Sequence, residues 1–168
     1  MTTSQRQQLR IERVFDAPRQ LVWDAWTKPE LAMKWLGPEH FTCPVFEIDL
    51  RVGGNFTYCM RSPDGRDYWN GGIFEEVDPI RKIVCSIWIT NENGEVVEPA
   101  AIGLSPTFPK EQKQTVTFDD LGEKTKLTIV YEVESDEVMA MLRQIQMKEG
   151  WETALEKLAR SLTKEERK

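Results

Sequence analysis

The sequence predicts an α+β fold in which an antiparallel sheet of about six or seven strands packs on a long C-terminal helix, with two short helices after the first strand. Two observations carry this prediction. Through much of the chain, apolar residues alternate with polar ones, which is the period of strands with one buried face. Near the C-terminus the spacing of apolar residues changes to that of an amphipathic helix. Such a helix can cover the apolar face that sequential antiparallel strands leave exposed.

The N-terminal part is predicted to form one strand and then two short helices. The strand spans residues 7–15, with Leu9 and Ile11 on the face opposite Arg10. Asp16 is expected to be the N-cap of the first helix, and Pro18 suits its first turn, where a missing N–H is tolerated. Apolar pairs four residues apart then give each helix one buried face. These pairs are Val22 with Trp26, and Leu31 with Trp35.

Six further strands are predicted between the helices and the C-terminal segment, and Gly, Pro, Asn and Asp mark several of the turns between them. Gly71-Gly72 interrupts one of these strands and indicates a bulge or a sharp bend. The predicted strands span residues 46–51, 56–61, 67–77, 83–90, 115–118 and 125–133.

The C-terminal segment is predicted to be one helix from shortly after Ser135 to about Leu162. Gly150 lies inside it and costs roughly 1 kcal/mol relative to alanine, so either the helix starts nearby or a neighbour packs closely there. Residues 163–168 are charged and are expected to fray. The apolar face of this helix consists of Met147, Trp151, Leu155, Leu158 and Leu162.

Two sequence motifs add a resemblance to a known family. They are W-L-G-P at residues 35–38 and G-W-x-x-x-L-x-x-L at residues 150–158. With this order of elements, the chain resembles the SRPBCC superfamily, which has the helix-grip (START-like or Bet v 1-like) fold. Within that superfamily it is similar to the branch related to the C-terminal domain of the Hsp90 ATPase activator. The resemblance runs from about Leu9 to Leu162 and implies a single domain over residues 1–168, with a cavity between a curved sheet and the long helix.

Charge and composition exclude several classes of partner. The net charge of −6, with basic and acidic residues interspersed, argues against an extended nucleic-acid surface. No apolar run reaches membrane-spanning length, and residues 1–10 lack the apolar core of a signal peptide. Cys43, Cys59 and Cys85 show no C-x-x-C spacing, which favours free thiols in a reducing cytoplasm.

No residue pattern predicts catalysis, a metal or a cofactor. His40 is the only histidine, and no G-x-S-x-G motif supplies a nucleophile. One histidine with dispersed cysteines makes no zinc site, and alternating acids such as Glu132 and Glu134 suit the solvated side of a strand. His40 is interpreted as a surface-loop residue, with contact to a ligand at the cavity mouth as the alternative.

The aromatic residues are the best candidates for a ligand site. If the sheet grips the helix as the resemblance implies, several of them line the cavity; the alternative is that they fill the core. Residues 91–113 form a long, unusually apolar connection, expected either to cover the cavity entrance or to pack in the core or at a dimer interface. The predicted lining residues are Trp35, His40, Phe56, Tyr58, Met60, Trp69, Trp88, Ile102, Leu104, Phe108, Met147 and Trp151.

Three functions are compatible with this sequence. The favoured one is binding of a small, largely apolar ligand, such as a lipid or an aromatic metabolite. The resemblance also implies two alternatives, a co-chaperone or protein-interaction module with a chaperone partner, and an enzyme of cyclase or hydrolase type. An exposed aromatic patch would favour a protein partner, whereas a buried, perturbed carboxylate or His40 in the cavity would favour an enzyme. A homodimer is expected on general grounds, but no pattern specifies its surface.

Overall fold

A computed structural model of the chain describes residues 7–162. The expected tail at 163–168 lies outside this range. A short 3-10 turn, Pro99–Ile102, interrupts the connection between the fifth and sixth strands. The elements in chain order are β1 (Gln7–Phe15), α1 (Arg19–Thr27), α2 (Pro29–Ala32), β2 (Thr42–Ile48), β3 (Asn55–Arg61), β4 (Asp67–Asp78), β5 (Lys82–Thr90), β6 (Glu111–Asp120), β7 (Thr125–Val133), α3 (Asp136–Gln144) and α4 (Met147–Ser161).

The seven strands form one antiparallel sheet in the order β1-β7-β6-β5-β4-β3-β2. Every strand from β2 to β7 pairs with its neighbours in the chain, and β1 closes the other edge by pairing with β7 from Gln7↔Val133 to Phe15↔Thr125. Because β1 and β2 lie at opposite edges, α1 and α2 must cross the sheet between them. The predicted fold class is therefore confirmed.

The core lies between the inner face of the sheet and the helices. Ile11, Val116 and Ile129 on the strands are at most 1% exposed, as are Leu155 and Leu158 on α4. These leucines belong to the apolar face that helical spacing predicts. Within residues 7–162, no helix is both long enough and apolar enough to cross a bilayer.

The predicted long C-terminal helix is wrong in one respect, because it is two helices. Ser135 caps α3, with its Oγ accepting a hydrogen bond from the Val138 N–H at 3.2 Å. The helix then stops at Ile145, and Gln146 has a left-handed backbone with φ 59°. A residue in that region cannot continue a right-handed helix, so α4 starts again at Met147 in a new direction.

Two details of the N-terminal helices and two strand bounds also differ from the predictions. Pro18, not Asp16, is the N-cap of α1, and no side chain caps the helix there. Trp35 lies beyond α2, where its Nε1 donates a hydrogen bond to the Ala25 carbonyl at 3.0 Å. β2 begins at Thr42 and β6 at Glu111, in both cases earlier than the alternation of apolar residues indicates.

The two glycines singled out in the sequence have different structural roles. The irregularity of β4 lies between Phe74 and Glu76, not at Gly71-Gly72. Only glycine fits at position 72, because the β5 backbone and the Phe56 ring pack directly against it. A Cβ there would lie 2.2 Å from the Ser86 carbonyl oxygen and 2.3 Å from the Phe56 ring. At Gly150 a Cβ would make only ordinary contact, 3.5 Å from Pro38 Cγ.

We expect alanine substitutions at these two glycines to change stability in opposite directions. Gly72→Ala should lower the free energy of unfolding by about 3 kcal/mol, because a backbone carbonyl cannot move aside. Gly150→Ala should raise it by about 0.5–1 kcal/mol, because alanine has the higher helix propensity and its methyl group has room. Urea denaturation of both variants beside the wild type measures this. A destabilised Gly150→Ala protein would contradict the assigned contact with Pro38.

Candidate ligand cavity

A cavity of about 350 Å³ lies between the inner face of the sheet and α4. We call it the large cavity. Its size falls at the lower end of the range for ligand pockets, and most of its lining is apolar. It reaches solvent beside Ile145, which is 46% exposed. The lining residues are Leu36, Gly37, Pro38, Phe41, Tyr58, Met60, Tyr68, Asn70, Ile87, Ile89, Leu104, Phe108, Gln112, Tyr131, Ile145, Gln146, Met147, Gly150, Trp151 and Ala154.

A second, small cavity of about 50 Å³ adjoins the first. It shares Leu36, Tyr58, Ile87 and Trp151 with the large cavity. Its volume is on the order of a few water molecules, so it cannot hold an organic ligand by itself. The other residues that line it are Trp26, Trp35, Phe46, Ile48, Phe56, Phe74, Ile83, Cys85 and Gln114.

Trp151 separates the two cavities and connects three parts of the fold. Its ring is stacked on that of Trp26 from α1, with centroids 5.8 Å apart and planes at 8°. Trp26 in turn contacts Trp35 at 4.9 Å. The Trp151 Nε1 donates a hydrogen bond to the Tyr131 hydroxyl at 3.1 Å, which attaches α4 to β7. This arrangement fixes the position of α4 above the sheet and therefore the depth of the large cavity.

The loop after α2 is attached to α4 and forms part of the cavity roof. The Lys157 ammonium donates hydrogen bonds to the carbonyls of Pro38 and Phe41, both at 3.1 Å. The Glu39 N–H donates to Thr153 Oγ1 at 3.0 Å. Burial of Lys157 lowers the pKa of its amine, and the nearby Glu39 carboxylate opposes that shift. The Gly-Pro motif of the sequence therefore has a structural role beside the cavity.

Residues 91–110, which we call the lid, connect β5 to β6 and pass over the cavity. Leu104 and Phe108, two of the predicted lining residues, lie at the large cavity. The Arg66 guanidinium holds the lid in place, because it donates a hydrogen bond to the Ile102 carbonyl and lies over the Tyr68 ring at 5.2 Å. The Ile102 side chain, which the sequence predicts to line the cavity, is not among the residues that line either cavity.

Several predicted residues do line the cavities. Tyr58, Met60, Leu104, Phe108, Met147 and Trp151 contact the large one, and Trp35 and Phe56 contact the small one. Three others, besides Ile102, do not. His40 is an exposed loop residue with φ 72°, and its side chain lines neither cavity. Trp69 and Trp88 are half-buried on the outer face of the sheet.

The error at Trp69 and Trp88 arises from choosing the wrong face of two strands. Tyr58 pairs with Asn70, so Asn70 faces the cavity and the adjacent Trp69 faces away. On β5 the isoleucines at 83, 87 and 89 share the cavity side, whereas Trp88 shares the outer face with Ser86 and Thr90, so the alternation itself places Trp88 away from the cavities. A Cβ on Gly71 would meet Thr90 and the Trp88 indole, which places all three on the outer face.

The polar lining residues Asn70, Gln112 and Tyr131 were not predicted from the sequence. A signal was present for Gln112, because the alternation of Val116 and Phe118 continues backwards through Gln114 to Gln112. The Tyr131 hydroxyl accepts hydrogen bonds from Gln114 Nε2 at 2.7 Å and from Trp151. Its own hydrogen has no acceptor among residues 7–162 and is available to a ligand.

Charged side chains are not found at either cavity among residues 7–162. The described lining holds no aspartate, glutamate, lysine, arginine or histidine, although the Cys85 thiol lines the small cavity. In the part of the chain that the structure describes, no group of three or more potential ligand side chains is arranged to hold a metal ion. Cys43, Cys59 and Cys85 are buried free thiols.

Burial around the cavities shifts the titration of thiols and phenols. It raises the pKa of Cys85 to about 12, with the Glu75 carboxylate adding to the effect. It likewise raises the pKa of Cys43 to about 11, together with the neighbouring Cys59. The pKa values of Tyr58 and Tyr131 are also raised, again mainly by burial.

These shifts predict a loss of stability in alkali. The folded Cys85 keeps its proton while the unfolded thiol, with its ordinary pKa of 9.0, loses it, so the free energy of unfolding falls as the pH rises above that value. Cys85 alone should contribute a loss of about 2 kcal/mol between about pH 8 and about pH 10.5. Urea denaturation of the wild type and Cys85→Ala at both pH values isolates this contribution. If both proteins lose the same stability, Cys85 does not titrate as described.

Comparison with solved structures finds the same fold in several bacterial proteins. A Nitrosomonas europaea protein matches with a TM-score of 0.78 and 23% identity, over 96% of this chain and 97% of that chain. A Chromobacterium violaceum protein matches with a TM-score of 0.72 and 27% identity, over 91% of this chain and 94% of that chain. A Silicibacter pomeroyi protein described as AHSA1 matches with a TM-score of 0.70 and 21% identity, over 93% of this chain and 97% of that chain.

Comparison at the level of sequence assigns the family. A search of curated proteins gave no match. A family profile described as "Activator of Hsp90 ATPase homolog 1-like protein" matches residues 16–163, which is most of the chain. The resemblance seen in the sequence motifs is thereby confirmed, and the chain belongs to the family of Activator of Hsp90 ATPase homolog 1-like proteins.

Proposed function

We propose that this protein binds a small, largely apolar ligand in the large cavity. The observation that carries the proposal is a space of about 350 Å³ whose walls are mostly aliphatic and aromatic and which reaches solvent beside Ile145. A lid that is attached through Arg66 and a roof attached through Lys157 keep this space from collapsing. The buried free thiols support a reducing, cytoplasmic setting as part of the same proposal.

The energetics of such a site favour moderate affinity. Burial of about 250 Å² of apolar ligand surface contributes roughly 6 kcal/mol at 25 cal/mol per Å². Loss of translational and rotational freedom cancels much of this gain, so binding in about the micromolar range is expected. The enzyme alternative gains no support from the cavity walls, because within the described part of the chain neither cavity is lined by a carboxylate or by His40.

A substitution that fills the large cavity should weaken binding of an apolar probe. We expect Met60→Trp to reduce the affinity for N-phenyl-1-naphthylamine by about tenfold, because the larger ring occupies space that the probe needs. Met33→Trp is the matched control, since Met33 is 37% exposed and lies outside the cavities. Fluorescence titration measures both affinities. The proposal fails if the wild type does not bind the probe, or if both variants bind it as the wild type does.

The outer face of the sheet supports a second candidate function, binding of a protein partner. Trp69 and Trp88 are half-buried there, and the cross-strand pairs Trp69↔Thr90 and Gly71↔Trp88 place them close together. Tryptophan is enriched in the parts of interfaces that contribute most to affinity. The family's name points to Hsp90 as the partner to test.

If the second candidate is correct, the protein should stimulate the ATPase activity of purified Hsp90, and Trp69→Ala with Trp88→Ala should abolish the stimulation. Met60→Trp should leave it unchanged, because Met60 lies on the opposite face of the sheet. An ATPase assay with these variants separates the two candidates. No stimulation by the wild-type protein would remove the partner function.

A further inference from the structure

The sheet side of the large cavity carries unpaired polar groups. Asn70 on β4 and Gln112 on β6 line this wall and are only 7% and 8% exposed. Strand pairing places Asn70 beside Tyr58, and Gln112 is two residues from Gln114 on the same face of β6. Among residues 7–162, the side chains of Asn70, Gln112 and Tyr58 make no hydrogen bond with protein.

These groups reach the cavity and are not sealed in the core. Within the described residues, the side-chain polar atoms that are both fully enclosed and unpaired are Arg19 Nε and Thr90 Oγ1. The amides of Asn70 and Gln112 are unpaired but still accessible, and the space they contact is the cavity. An amide that faces the cavity and has no protein partner is free to exchange hydrogen bonds with whatever occupies the cavity, water or ligand.

The opposite wall and the charge of the lining define what can enter. Leu104 and Phe108 of the lid and Met147 and Ala154 of α4 present only apolar groups. None of the twenty lining residues is aspartate, glutamate, lysine, arginine or histidine. A charged ligand would lose its hydration here without gaining an ionic partner.

We propose that the ligand is an uncharged, largely apolar molecule with a carbonyl or hydroxyl oxygen. That oxygen is bound on the sheet side by the amide of Asn70 or of Gln112, which β5 separates, and the apolar part lies against α4 and the lid. An amide side chain both donates and accepts hydrogen bonds, so either kind of oxygen is accommodated. This inference rests on the proposed function of the cavity and adds the chemical class of the ligand.

The absence of charge is tested with two probes that share one ring system. N-phenyl-1-naphthylamine is uncharged, and 8-anilino-1-naphthalenesulfonate differs from it by an added sulfonate. In fluorescence titrations we expect the sulfonate to bind the wild type at least about tenfold more weakly, because its charge is not compensated in the cavity. Equal affinities would overturn the inference.

The proposed hydrogen bond to a ligand oxygen is tested with benzophenone and diphenylmethane. Benzophenone has a carbonyl group where diphenylmethane has a methylene group. Displacement of N-phenyl-1-naphthylamine measures both. The wild type should bind benzophenone about fivefold more tightly than diphenylmethane, because one additional hydrogen bond contributes about that much affinity. The combined variant Asn70→Leu/Gln112→Leu should lose this preference. A wild type without the preference, or a variant that keeps it, would overturn the inference.

Stability of the ligand-free protein gives a second, independent readout. If the two amides serve a ligand and not the fold, the same Asn70→Leu/Gln112→Leu variant should melt about 2–4 °C higher than the wild type. Gln114→Leu is the matched control, because Gln114 donates to the Tyr131 hydroxyl at 2.7 Å and its loss should lower the melting temperature. A lower melting temperature of the Asn70→Leu/Gln112→Leu variant would assign those amides to the fold and overturn the inference.

The outcomes also distinguish this inference from the proposed function. If N-phenyl-1-naphthylamine does not bind the wild type, both fail. If it binds and is displaced by diphenylmethane and benzophenone equally well, the cavity binds apolar molecules and only the inference about the oxygen fails.

Discussion

The contact of Trp151 with Trp26 and Tyr131 determines how this fold is assembled. It joins α4, the helix pair and β7 at one point, through a stacked ring pair and a hydrogen bond from Nε1. The indole is large and rigid, so it keeps α4 at a fixed height above the sheet. Because the sheet is wider than one helix, fixing α4 here leaves space on the side toward Leu104 and Phe108, and that space is the large cavity.

The residues of α4 explain why the space is not filled. Toward its C-terminal half, Leu155 and Leu158 fill the core completely. Toward the cavity, the same helix presents Gly150 and Ala154, which are too small to reach the opposite wall. Interiors of proteins are otherwise close-packed, so the space beside Gly150 and Ala154, between the larger Met147 and Trp151, is a local exception, and the proposed ligand site rests on it.

The sequence predicted buried residues correctly where a long periodic pattern placed apolar residues on one face only. The apolar face of the C-terminal segment and the alternation at Leu9 and Ile11 identified core residues, and the motif around Gly150 identified the family. It failed at Trp69 and Trp88, because aromatic side chains were assumed to face the cavity although the isoleucines on either side of Trp88 mark the opposite face of β5 as the apolar one. An aromatic side chain does not by itself indicate which face of the sheet is buried, since tryptophan also occurs on outer faces.

The sequence by itself determined the order of the elements, the fold class and the helix face that packs on the sheet, because these depend on local periodicity and on motifs that can be read along the chain. The break at Gln146, the position of the lid over the cavity and the unpaired state of Asn70 and Gln112 were decided only by the tertiary structure. The physical reason is that a cavity, and an amide without a protein partner, are defined by the space that segments distant in sequence leave between them, which no local sequence pattern indicates.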